Sequence, residues 1–300
     1  MRRLFILILA AIVLGGPIVL GLTAAKTVPA SLFGPHSPNL ENGRWMFFAG
    51  GCAACHATAG QDDPMRLGGG RELKTKFGTF RVPNISPHAR DGIGSWNEAQ
   101  FAGAMLKGSS PDGRHYYPAF PYTSYQRMRI ADTRDLFAFL KTLPAIEGKS
   151  LGHDLPFPLS FRAGVGLWKY LYVDGKPFQP DRAKPESWNR GAYLVEGPGH
   201  CAECHSARDF LGGIISARRY TGGPNPAGEG SVPDITQQSL ARWNEEDFVA
   251  LLEFGARPQH GDVAGDMRSV VRNTSQLSAD DRRAMASYLK SLQPGSGPRN

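Results

Sequence analysis

Cys52, Cys55 and His56 stand in the order C-x-x-C-H, and Cys201, Cys204 and His205 repeat that order. Two thiols about one helical turn apart can add across the two vinyl groups of one haem and form thioethers. The histidine that follows then lies under the ring, where its imidazole can bind iron from the proximal side. The chain has Cys 4, and the two motifs use every one. A zinc ribbon places its two pairs about 15–20 residues apart, far closer than these. A thioredoxin-type pair needs no histidine and sits in a βαβ pattern that this sequence lacks. Structural disulfides ask for no histidine after each pair either. The motifs therefore predict two covalently bound haem c groups.

Each iron has a sixth position. Methionine there raises the potential and suits an electron carrier, whereas an open position suits catalysis. For the second haem the candidate is Met267, expected in a loop ahead of the last helix. Met285 falls inside that helix and reads as core. For the first haem the candidate is Met128, in Tyr125-Gln-Arg-Met-Arg-Ile, with His115 or an open site as alternatives. The internal repeat gives a warning. With Ile130 set against Leu277, Phe120 rather than Met128 falls opposite Met267, so the two distal segments must differ.

These ligands need helices around them. Glu41 to Gly50 reads as a short apolar helix leading into the first motif. Trp96 to Lys107 and Asp132 to Leu143 carry apolar residues at helical spacing, the second closed by Pro144. The second half repeats the first. Gly191-Ala-Tyr-Leu-Val matches Gly43-Arg-Trp-Met-Phe, and Val232-Pro-Asp-Ile-Thr matches Val82-Pro-Asn-Ile-Ser. Trp243-Asn-Glu matches Trp96-Asn-Glu, and Tyr288-Leu-Lys-Ser-Leu matches Phe139-Leu-Lys-Thr-Leu. Two copies make a duplicated domain, not a solenoid. Between them a proline-rich connector holds the aromatic stretch Phe161 to Val173, which predicts a short helix packed against both domains; the alternative is contact with the bilayer surface.

Arg2 and Arg3 precede an uncharged apolar run from Leu4 to Leu22. As a helix it would be about 29 Å long, enough to cross a bilayer. The expectation is an N-terminal transmembrane helix with the arginines in the cytoplasm. The alternative is a signal peptide cleaved near Thr23-Ala24-Ala25. Either way the rest of the chain is exported. The boundaries expected are 1–25 for the anchor, 26–38 for a linker and 39–150 for the first domain. The connector is 151–186, the second domain 187–293 and the tail 294–300.

The formal net charge is +7, and four haem propionates would bring it to roughly +3 with both irons reduced. No stripe of Lys and Arg with interleaved aromatics appears, which excludes a nucleic-acid partner.

The stretches GRWMFFAGGCAACH, KFGTFRVPNIS, GIGSWNEAQF and DGRHYYPAFPYTSYQRM resemble the first domain of the cytochrome c subunits of membrane-bound alcohol and gluconate dehydrogenases. WNRGAYLVEGPGHCAECHSARDFLGG resembles their second domain. The resemblance covers Gly43 to Leu292. It implies a mainly α fold of two tandem class I cytochrome c domains, which the apolar run Leu4 to Leu22 would place behind an N-terminal transmembrane helix. It also implies a periplasmic dehydrogenase as donor, and a quinone, an oxidase or another cytochrome as acceptor. The location would be the periplasmic face of a bacterial inner membrane. Those subunits usually carry three haems, and this chain has two. The rival reading is a diheme enzyme, of the peroxidase or thiosulfate-oxidising type, with one displaceable ligand.

Overall fold

The computed structural model describes residues 15–16, 21–226, 228–258 and 261–297. In the first half, α1 is Leu40–Ala49 and α2 is Cys52–His56. A hairpin of β1 (Glu72–Thr75) and β2 (Gly78–Arg81) follows. Then come α3 (Glu98–Lys107), α4 (Tyr122–Tyr125) and α5 (Ile130–Leu140). The connector holds α6, Ala163–Tyr172. In the second half, α7 is Glu186–Glu196 and α8 is Ala202–His205. β3 (Gly223–Pro224) pairs with β4 (Ser231–Val232), α9 is Glu245–Phe254, and β5 (Ala256–Arg257) pairs with β6 (Gly261–Asp262). The chain closes with α10 (Met267–Thr274) and α11 (Ala279–Lys290).

The repeated Trp-Asn-Glu stretch is a helix start. The Asn97 side chain accepts from Gln100 N, and the Gln100 side chain accepts from Asn97 N. Asn244 and Asp247 do the same for α9. Such reciprocal caps satisfy two otherwise orphaned amides at each N-terminus. Gly108 and Gly255, both left-handed, end the same two helices.

The first and last helices of each domain cross at a glycine. A Cβ on Gly43 would lie 2.2 Å from the Asp135 carbonyl oxygen, and one on Gly191 would lie 1.9 Å from that of Ala284. Only glycine lets α1 meet α5, and α7 meet α11, backbone to backbone. Polar contacts lock each crossing. Asn42 donates to Asp132 and Asp135, both at 2.8 Å. Arg190 donates to both oxygens of Asp281, at 2.7 and 3.0 Å. Around these crossings Met46, Phe47, Leu136 and Leu140 are buried in the first domain, and Leu194, Val195, Met285 and Leu289 in the second. They belong to one buried cluster that runs through both domains.

The connector helix α6 packs against both domains, as its aromatic content predicts. Lys169 Nζ donates to Gly108 O at 3.2 Å, and the Trp168 indole donates to Leu211 O at 3.0 Å. Tyr172 OH donates to Asp209 at 2.6 Å.

Three features differ from expectation. Short hairpins accompany the helices. Met267, expected in a loop, is the first residue of α10, because the chain turns helical straight after Asp266 and packs Val271 inward. The glycine crossings also set the repeat in a different register, with α5 and α11 starting at equivalent points, so that Met128 falls opposite Leu277 and Met267 opposite Pro118. The apolar run Leu4 to Leu22 lies largely outside the described residues, as does His260. Among the described residues no helix is long and apolar enough to cross a membrane.

Candidate haem sites

Each C-x-x-C-H motif folds as a single helical turn entered through a left-handed residue. Gly51 has φ 57 before Cys52, and His200 has φ 41 before Cys201. None of the four cysteines is paired in a disulfide, so both pairs are available for thioether bonds. Low-dielectric surroundings push Cys52 and Cys201 up to about 12, so neither exists as a reactive thiolate at neutral pH.

The histidines are held alike. His56 Nδ1 lies 2.9 Å from Pro83 O, and His205 Nδ1 lies 2.8 Å from Pro233 O. A carbonyl can only accept, so Nδ1 carries the proton and Nε2 keeps its lone pair for a metal. Burial also pushes both imidazoles below their usual range, against the pull of the proline carbonyls. Both rings are therefore neutral and oriented before any iron binds.

A glycine makes this possible. Gly69 N donates to His56 O at 2.9 Å, and Gly222 N donates to His205 O at 2.8 Å. Both glycines have positive φ, 72 and 68. A Cβ on Gly69 would strike Pro83 at 2.5 Å, and one on Gly222 would strike Val232 O at 2.5 Å. Each glycine thus lets the proline segment lie close enough for its carbonyl to reach the histidine. The Val-Pro repeat is visible in the sequence, but nothing there assigns it to the histidine.

The donor set fits haem c twice over: paired cysteines one turn apart, then a neutral imidazole with Nε2 available. Met128 is 2% exposed in the turn between α4 and α5. Its neighbours are clamped from outside the first domain. Arg127 donates to Lys176 O at 2.6 Å and pairs with Asp174, and Arg129 N donates to Tyr193 OH at 3.3 Å. Met267 is half-buried, and Asp266 before it pairs with Arg71 at 3.2 Å. Arg71 also donates to Ala54 O inside the first motif, at 2.6 Å. His115, the alternative ligand, is engaged elsewhere: its Nδ1 lies 3.1 Å from Lys169 Nζ beneath α6.

Sequence reasoning missed Glu203, between the two cysteines of the second motif. It is buried and accepts from Thr123 at 2.5 Å, Ser124 at 2.8 Å and Arg208 at 2.7 Å. Burial works against its charge, but Arg208 and the two hydroxyls outweigh that and hold the carboxyl below its usual range. Each motif is thus tied to the distal segment of the other domain, the first through Arg71 and the second through Glu203. No motif or spacing announces this, because the partners lie 79 and 195 residues apart.

Paired attachment sites of this kind, each on a small helical domain, define a diheme c-type cytochrome. The family model for cytochrome c matches residues 40–144 and 188–293, and the chain belongs to that family. It is 44% identical over 292 residues to a diheme cytochrome c-type protein of Cereibacter sphaeroides, covering 97% of this chain and 98% of that one. It is 35% identical to the fructose dehydrogenase cytochrome subunit of Gluconobacter japonicus, covering 89% of this chain and 54% of the relative. To the cytochrome c subunit of the quinone alcohol dehydrogenase of Gluconobacter oxydans it is 36% identical, over 84% of this chain and 54% of the relative. The chain spans about half the length of these two subunits. It carries two covalently bound haem c groups. Protein matured in a host with the c-haem machinery is expected to show the chain mass plus two haems, both retained in acidified organic solvent. A single haem, or extractable haem, would contradict the attachment chemistry.

Proposed function

We propose that this protein is a periplasmic electron carrier, taking electrons singly from a dehydrogenase and handing them to a quinone, an oxidase or another cytochrome. The observation that carries this reading is the junction between the two attachment motifs. Gly50, two residues ahead of Cys52, accepts from Tyr125 OH at 3.1 Å, and His200 Nε2 lies 3.3 Å from the same oxygen. His200 immediately precedes Cys201. The backbone before one haem helix is thus hydrogen-bonded to the residue before the other. Each haem supplies one reversible Fe(II)/Fe(III) couple. The chain holds the two attachment turns in fixed proximity through Gly50, Tyr125, His200 and Glu203. In this reading His56 and His205 are proximal ligands, Met128 and Met267 distal ligands, and Cys52, Cys55, Cys201 and Cys204 the thioether positions. The dehydrogenase cytochrome subunits among the relatives support the class of donor. The run Leu4 to Leu22 serves as a single-pass anchor in a bacterial inner membrane, with a cleaved signal as the alternative.

With both sixth positions filled, the ferrous protein is expected to bind no carbon monoxide, and a potentiometric titration to give two one-electron steps. Binding of carbon monoxide at one site per chain, together with turnover of hydrogen peroxide, would show an open iron and favour a diheme peroxidase.

A further inference from the structure

The outer face of the connector helix α6 is apolar throughout. Phe161, two residues ahead of α6, and Gly164, Leu167, Tyr170 and Leu171 within it follow one stripe at spacings of three and four residues. Phe161 is 66% exposed, Leu167 52%, Tyr170 67% and Leu171 53%. Phe157, just upstream, is 86% exposed. The helix is inverted relative to an ordinary surface helix, whose charges face water. Its one cation, Lys169, turns inward to Gly108 O, Ser109 Oγ and His115. An uncharged face carrying large aromatic and aliphatic groups is more than scattered surface leucines and marks an interaction site.

A second observation says what covers it. The inner face of α6 touches the segment that follows the N-terminal apolar run. A Cβ on Gly166 would lie 2.3 Å from the Thr23 carbonyl oxygen and 2.9 Å from Thr23 Cβ. Gly21 and Leu22, the last residues of the run, are helical. Exposed Lys26 lies close enough to Lys107 and Lys169 for the three charges to depress the last two ammonium groups, after burial as the larger cause. If Leu4 to Leu22 crosses the bilayer, Thr23 stands at its surface. A helix about 10–12 Å across that touches Thr23 then lies at headgroup depth. Tyrosine and phenylalanine suit that depth, and a nearby lysine suits anionic headgroups.

We propose that the Phe161, Leu167, Tyr170 and Leu171 face of α6 docks on the phospholipid bilayer beside the N-terminal anchor and fixes how the two haem domains stand on the membrane. This rests on the anchoring reading. A lone helix with a free linker would let the haem domains tumble. A second contact, made by a helix bonded to both domains, holds the haem edges at a set height and orientation.

The test uses the full-length holoprotein, kept reduced, in nanodiscs of phosphatidylethanolamine and phosphatidylglycerol. A nitroxide is attached at Tyr170→Cys or Leu171→Cys, with Phe254→Cys on the exposed surface of the second domain as control. At 170 and 171, collisions with oxygen are expected to rise and collisions with a water-soluble nickel chelate to fall several-fold relative to 254. If the protein elutes with the discs but both labels match the control, docking is overturned while the anchor stands. If it does not elute with the discs, anchor and docking fall together. If the labels are shielded equally without lipid, and in proportion to protein concentration, a second protein copy covers the face and the proposal is wrong.

Discussion

Met128→Ala is expected to remove about half of the far-red sulfur-to-iron charge-transfer band of the oxidised protein. One of the two potentials should fall by on the order of 0.1 V or more, within the ~0.8 V span that axial ligands control, and the other should stay. A thioether is a soft, neutral ligand that favours Fe(II) over Fe(III), so its loss stabilises the oxidised state. Met267→Ala should produce the same change at the other haem, and the double variant should show no band. The first site is the more informative. The crossings of the glycine helices place Met128 opposite Leu277, which is a buried core residue, so duplication gives Met128 no inherited role as ligand. We propose that role from its position alone: it sits between α4 and α5, in a turn clamped by Arg127 and Arg129. Alanine also opens a cavity at a residue 2% exposed, worth roughly 2–5 kcal/mol whatever its role. Met128→Leu separates the two effects. It keeps most of the volume, at a cost of less than about 1.5 kcal/mol, but removes the sulfur. If the leucine variant keeps the full band and both potentials, Met128 only packs, and the first iron has another ligand or none.

Glu196→Ala is expected to destabilise the second domain by about 3–5 kcal/mol. Glu196 is 1% exposed at the end of α7. It accepts from Arg219 at 2.5 Å and from Tyr288 OH at 2.5 Å. Arg219 is itself buried. Burial disfavours its charge, but Glu196 outweighs that and holds the guanidinium firmly protonated. Without the carboxylate, Arg219 is a buried cation that has lost its hydrogen-bonded partner, with Glu203 as the remaining negative charge near it, and Tyr288 is a buried hydroxyl with no acceptor. At about 4–8 °C per kcal/mol for a domain of this size, calorimetry should show the second-domain transition lowered by more than roughly ten degrees. The haem is covalently held, so the reduced spectrum should survive. The first domain has Phe48 and Phe139 at the positions equivalent to Glu196 and Tyr288, an apolar solution to the same packing problem. A combined Glu196→Phe, Arg219→Met, Tyr288→Phe variant should therefore recover much of the loss, since a buried ion network is often replaceable by apolar groups but not breakable at one end. A drop below about 2 °C for Glu196→Ala would mean that Arg219 reaches solvent.

Attachment chemistry, duplication and most helices were legible in the sequence because they are local. C-x-x-C-H places every reacting atom within five residues, and covalent bond lengths do the rest. Trp-Asn-Glu carries its own cap, so α3 and α9 begin where the residues say. Apolar periodicity marked α3 and α5 for the same reason. The connector was readable as a packed helix from its aromatic content alone.

What only the tertiary structure decided is what depends on distant backbone. Pro83 and Pro233 orient the histidines because Gly69 and Gly222 let two loop segments approach, which needs a loop closed over 27 and 28 residues. Glu203 became a clamp only when Thr123 and Ser124 were folded against it, and Met267 became a helix start rather than a loop residue through the packing of α10. Local sequence specifies which groups are present and how far apart they are along the chain. Which of them face each other across the fold is set by loop closure and burial, and no local pattern encodes that.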